Sequence, residues 1–117
     1  MRTFAKHFTQ GYVGKIKEVG TTLKISISSS YRQRNQNGDY EDRTYWNTVT
    51  VFDDKRMKFI RDHVSEGDLV QAEGMIREDS YEKDGEPVYT TLLVAQDFQL
   101  LSTKAQRDAW RAANPQD

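Results

Sequence analysis

The chain has no cysteine, which excludes disulfide bonds and thiolate metal sites and leaves the redox compartment without a signature. Its apolar runs are only a few residues long, and the opening MRTFAKHFTQ lacks the apolar core of a secretory signal. A soluble, cytoplasmic protein is expected. Gly-rich phosphate loops, HExxH pairs and serine nucleophile elbows are all missing. His7 and His63 are far apart in the chain, and Asp53-Asp54 reads as a helix N-cap rather than a metal pair. The expectation is a non-enzymatic protein with no catalytic residues, no metal and no cofactor.

Apolar residues make up 36% of the sequence and charged ones 30%, so the core must be small. A length of 117 residues suits one domain better than two. The net charge of −1 hides an uneven distribution. Residues 1–38 carry seven basic groups against one acidic, whereas residues 39–117 carry ten against seventeen. Such asymmetry can build a basic surface on a nearly neutral protein, as nucleic-acid binding requires.

What is present is mostly strand. GYVGKIKEV (11–19) and TTLKISISS (21–29) flank Gly20 and read as a tight antiparallel hairpin, with Leu23, Ile25 and Ile27 on one face. SSYRQRNQNGDYEDRT has no apolar residue but its tyrosines and contains the turn signal Asn37-Gly38-Asp39, so it reads as a long exposed hairpin or loop. TYWNTVTVFDD (44–54) alternates as a third strand. In DDKRMKFIRDHV a short helix puts Met57, Ile60 and Val64 on one side. A fourth strand runs from about Leu69 to Tyr81, where Gly74 predicts a sharp bend. After the tip EKDGEP, VYTTLLVAQDFQLL supplies the last strand. The order β-β-β-α-β-β predicts an all-β OB-fold, a five-stranded Greek-key barrel with one short helix between strands three and four. The domain is expected over 1–102. A short polar tail follows over 103–117, weakly helical from Ala105 to Ala113 around Trp110.

The third strand carries the sharpest functional signal. Val49 and Val51 claim the core, which leaves Trp46, Thr48, Thr50 and Phe52 on the face that should meet water. Barrels of this kind bind oligonucleotides across strands two and three, where exposed rings stack on bases. Tyr31, Trp46, Phe52 and Tyr81 are the candidate stacking residues. Arg32 and Arg34 follow Tyr31 as candidate phosphate contacts, and Arg43, Arg77 and Lys83 are further candidates diluted by acidic neighbours.

These segments together resemble the bacterial-type single-stranded DNA-binding protein family. The likeness rests on SISSSYR (26–32), TYWNTVTVF (44–52), VSEGDLVQAEGMI (64–76), REDSYEKDG (77–85) and VYTTLLV (88–94), and covers residues 11–101. It implies sequence-independent binding and protection of single-stranded DNA in replication, recombination or repair. It also implies base stacking by the four rings, with tyrosine at 31 and 81 where the family commonly has tryptophan. A homo-oligomer is implied as well, tetramer favoured over dimer, with Tyr12, Ile16, Leu93 and Ala95 available for assembly. The link between the first two strands is short for the family, and the chain ends at ANPQD without the family's acidic tip. Both departures suit a phage or plasmid accessory version and leave recruitment of replication or recombination proteins uncertain. Two alternatives remain open: an interaction module acting on a protein partner, in the manner of a primosome adaptor, and an RNA binder.

Overall fold

The computed structural model describes residues 1–115. Its elements are β1 (Lys6–Val19), β2 (Thr22–Arg34), β3 (Tyr40–Val51), α1 (Asp54–His63), β4 (Leu69–Lys83), β5 (Glu86–Val94), β6 (Asp97–Ser102) and α2 (Lys104–Ala113). β1 pairs antiparallel with both β2 and β4, β2 with β3, and β4 with β5, while β3 runs parallel to β5 through Val49 and Thr50. The ring of strands therefore closes into the five-stranded OB barrel that the sequence predicts. β5 and β6 are the two halves of the predicted last strand, interrupted at Ala95 and Gln96, and both lie along the same edge of β4.

Alternation fills the barrel. Val13, Leu23, Ile25, Ile27, Val49, Val51, Val70, Ala72 and Ala95 point inward, and Met57 and Ile60 of α1 join them with Val64, the residue that caps its C-terminus. Asp53 caps α1 by accepting from the Arg56 amide at 3.0 Å. Gly74 is the predicted bend, and the cause is a close approach. Up to Glu73 strand β4 pairs with β6, and from Ile76 it pairs with β5. A Cβ on Gly74 would collide with the Val94 carbonyl oxygen and lie 2.7 Å from the Gln96 amide nitrogen, so only glycine lets the strand interruption pack there.

Three features go further than the sequence expectation. β1 starts at Lys6, and its first half pairs with β4, a strand far along the chain that local periodicity cannot reveal. Of the two readings of the polar stretch around residues 30–43, hairpin or loop, the hairpin is the one found. The β2–β3 ladder continues unbroken to Arg34 opposite Tyr40, and only residues 35–39 turn, with Asn35 Oδ1 accepting from the Asn37 and Asp39 amides. This arm stands off the barrel with no core beneath it, so it needs no apolar alternation.

The third feature is the segment after Ser102, which does not trail free. Thr103 and Gln106 form a capping box at the start of α2. The buried Asp68 carboxylate accepts from the Lys104 and Ser65 amides at 2.8 Å each. Arg107 donates to the carbonyl oxygens of Gly67 and Ser102 and stacks over Tyr12 at 5.0 Å. Gln116 and Asp117, the end of the segment read as a tail, lie outside the described residues.

The apolar residues suggested for assembly also move. Ala95 is buried in the core, and Ile16 and Leu93 pack against it, so of that set only Tyr12 presents an open surface. Among the described residues no helix is long and apolar enough to cross a membrane.

Candidate nucleic-acid interface

The β2–β3 register decides which side chains share a surface. Ser28 lies opposite Trp46, Ser26 opposite Thr48 and Lys24 opposite Thr50, all turned away from the core residues Ile25, Ile27 and Val49. Trp46 is 59% exposed and Phe52 is 46% exposed on this outer face. Six residues of extended strand separate them by about 20 Å, so they would address different bases. Thr50, expected beside them in water, is buried instead, where β3 is flanked by both β2 and β5, and the Lys24 ammonium donates to its hydroxyl at 2.9 Å.

The same alternation along β4 turns Ile76 inward to pair with Leu93, and Arg77, Tyr81 and Lys83 outward. Arg77 lies over the Phe52 ring at 5.6 Å, which joins the β4 residues to the outer face of β3. Tyr81, 55% exposed, is further out on the β4–β5 hairpin, opposite Val88. Arg32 and Arg34 belong to the outer face of the β2–β3 arm, where both guanidinium groups cover the exposed Tyr40 ring, at 5.6 and 5.5 Å. Tyr40 is a ring the sequence reading missed. The signal for it was the alternation that links it to Trp46, visible only once the polar stretch is read as strand.

Tyr31 and Arg43 do not share this surface. They lie opposite one another in the ladder with the parity of Ile25 and Ile27, so they turn to the other side of the arm from Trp46. Tyr31 is 58% exposed and meets Tyr45 edge-on, ring centres 6.0 Å apart, and it lines a separate hollow with Phe8, Tyr12 and Leu69. Of the candidate stacking residues, Tyr31 and Trp46 therefore stand on two faces of one arm. Tyr31 is three residues from Ser28, an odd step, and an odd step along a strand changes face.

The cations divide by their partners. Arg43 is bound to Glu41 at 3.1 Å, and that hydrogen bond and charge hold its guanidinium above its ordinary pKa. Arg77 is within 3.4 Å of Asp79. Arg32, Arg34 and Lys83 make no ion pair with another described residue, which leaves them available to an anion. His7, by contrast, is a buried structural residue, within 2.9 Å of the Val94 carbonyl oxygen and 3.0 Å of the Thr9 hydroxyl. Among the described residues no cluster of three His, Asp or Glu groups is arranged to hold a metal.

Barrel, arm and outward rings define an OB-fold protein that presents exposed aromatic side chains on the outer face of its strands. The model of the single-strand binding protein family matches residues 11–101, and the chain belongs to that family. It is 32% identical over 84 residues to single-stranded DNA-binding protein 1 of Streptococcus pyogenes, a match taking in 72% of this chain and 62% of that protein. It is 31% identical to the single-stranded DNA-binding protein of Rhizobium meliloti over 65% of this chain and 44% of that protein. The chain thus spans about half to three-fifths of the length of these curated relatives. Among solved structures, the mitochondrial single-stranded DNA binding protein Rim1 of S. cerevisiae superposes with a TM-score of 0.66 at 30% identity, over 86% of this chain and 98% of that one. A Plasmodium falciparum SSB in complex with ssDNA gives a TM-score of 0.72 at 19% identity, over 87% and 98% of the two chains, a likeness of fold alone.

Proposed function

We propose that this protein binds single-stranded DNA with little regard to sequence and protects it during replication, recombination or repair. Its activity is binding, not catalysis. The observation that carries the reading is the outer face on which Trp46, Phe52 and Tyr81 stand exposed with Arg32, Arg34 and Arg77 among them. A ring stacked on a base contributes about 1–3 kcal/mol and tolerates any base, while the cations contact phosphates and release counterions. Tyr31 and Arg43 act on the opposite side of the arm, so the strand meets both faces of the ribbon. Lys83 extends the cationic track along the second hairpin.

The names of the relatives support the same reading, since each is called a single-stranded DNA-binding protein. We further propose that copies of the chain assemble, tetramer favoured over dimer, through the outward residues Phe8 and Tyr12 of β1, both large, apolar and exposed. Titration of fluorescence-labelled oligo-dT at low salt tests the main reading. Saturable binding that weakens as salt rises is expected; folded protein that leaves the anisotropy unchanged would overturn it.

A second reading, an interaction module for a protein partner, draws support from the β4–β5 hairpin. There Glu78, Asp79, Glu82, Asp84 and Glu86 outnumber Arg77 and Lys83. Recovery of one stoichiometric protein partner, with negligible affinity for single strands, would favour it.

A further inference from the structure

Trp110 takes no part in the outer face of β2 and β3. It belongs to α2, which meets the barrel through one side only. Arg107 stacks over Tyr12 at 5.0 Å and donates to the Ser102 and Gly67 carbonyl oxygens, and it is the one residue of α2 that is half-buried rather than exposed. Trp110 and Arg111 follow Arg107 by three and four residues, so they continue the same side of the helix one turn further on. The indole is left 63% exposed. Arg111 has only Asp108 of its own helix, at 3.4 Å.

Beside that anchor lies the hollow of about 520 Å³ that Tyr31 shares with Phe8, Tyr12 and Leu69, and Tyr12, the ring beneath Arg107, is one of its walls. Trp110 does not line it. At the end away from Tyr12, Phe8 is paired with Glu73 of β4, and Glu73 in turn with Asp97 of β6. Residues directly opposite one another share a face, so two carboxylates stand side by side next to the Phe8 ring, an arrangement of like charges that a cation would relieve. Neither makes an ion pair with another described residue, and Lys6, two residues from Phe8, lies over Phe4 instead.

We propose that a second copy of this chain fills the hollow, its Trp110 packed between Phe8 and Tyr12 and its Arg111 set against Glu73 and Asp97. Apolar match and charge complementarity then come from a single helical turn. The Arg107–Tyr12 contact places ring and hollow side by side on one surface, so a two-fold axis puts each Trp110 into the hollow of the other copy. Tyr31 stands at the arm end of the hollow, and the seat uses the rings of β1. The proposal rests on the assembly proposed above and names the anchor that tightens it.

The test uses the full chain without DNA. The chain has two tryptophans, so Trp46→Phe leaves Trp110 as the only one. As protein concentration rises, its emission is expected to move to shorter wavelength and to resist acrylamide, in step with the mass from light scattering. In the chain that keeps Trp46, Trp110→Ala should weaken assembly about tenfold, as loss of a central aromatic anchor does. Arg111→Glu should weaken it too, and Glu73→Arg in the same chain should restore it, an exchange that a merely structural role of Arg111 would not show. An assembled protein whose Trp110 emission stays that of an exposed ring, or whose assembly ignores Trp110→Ala or the charge exchange, overturns the seat and leaves assembly through Phe8 and Tyr12 standing. A monomer at every concentration overturns the seat and the assembly together.

Discussion

Trp46 gives up most of its ring to solvent on a strand whose neighbouring valines are fully buried. Replacing it with alanine removes stacking area and no core contact, so Trp46→Ala should weaken oligo-dT binding about fivefold to 150-fold, the equivalent of about 1–3 kcal/mol. The thermal midpoint should stay where it was. A lowered midpoint with unchanged affinity would assign the ring to packing. At this scale the sequence was most readable where the core lay next door. Val49 and Val51 fixed the parity of β3, and parity exposed Trp46 and Phe52. Tyr31 was less readable, because its face depends on which residue of the partner strand it meets, and register is a property of two strands. The burial of Thr50 depends on the strands that flank β3, which no pattern within β3 could show.

At the scale of elements, the β2–β3 arm and α2 make separate predictions. Arg32 and Arg34 have no carboxylate partner among the described residues and stand over Tyr40. For single strands the slope of log affinity against log salt falls by about 0.7 for each phosphate that the protein no longer neutralises. The double replacement by alanine should therefore flatten that slope by about 1.4, measured by titration across salt concentrations. Helix α2 hangs on Asp68. Asp68→Ala strands the Ser65 and Lys104 amides at about 1–3 kcal/mol each, and the expected result is a lower thermal midpoint with early loss of α2 protection in hydrogen exchange.

Along α2, the hydrogen bond from Lys104, followed by its charge and those of Arg111 and Arg107, holds the Asp108 carboxyl below the usual carboxylate range. Its folded pKa is depressed, so the stabilisation is complete above the unfolded value and is lost as pH falls through the folded one. The Lys104 and Arg111 pairings should thus persist down to ordinary carboxylate titration and fail only below it, which carboxyl NMR shifts would follow. The sequence announced the helix weakly because α2 has no buried face: caps and polar anchors hold it, and periodicity records only burial. The arm, read as a hairpin or a loop, lacked the same signal, and only the structure gives its register.

For the molecule as a whole, the barrel was legible because each of its parts has a local cause: alternating strands, a capped helix and a glycine at the bend. The closure by β1 against β4 was not, since it joins strands far apart in the chain, as His7 with Gly74. The near-zero net charge leaves little long-range attraction to a polyanion, so the proposed binding rests on the local cationic track and the rings. If Phe8 and Tyr12 bring copies together, the mass in solution should be that of a multimer, and replacing both with serine should yield a folded monomer by light scattering.

The arm that stands off the barrel has two open edges, since beyond Ser28 strand β2 has no ladder partner except β3, and before Val49 strand β3 has none except β2. An unpaired ribbon of that length is a template on which another chain can grow a sheet. Here both rims carry formal charge: Arg32 and Arg34 on one strand, Glu41, Asp42 and Arg43 on the other. Where the β2 edges of two copies meet, Arg32 and Arg34 would face their own kind, so the side chains proposed to attract phosphate also oppose that pairing. The charge of the arm thus guards its cationic edge against a second copy of itself.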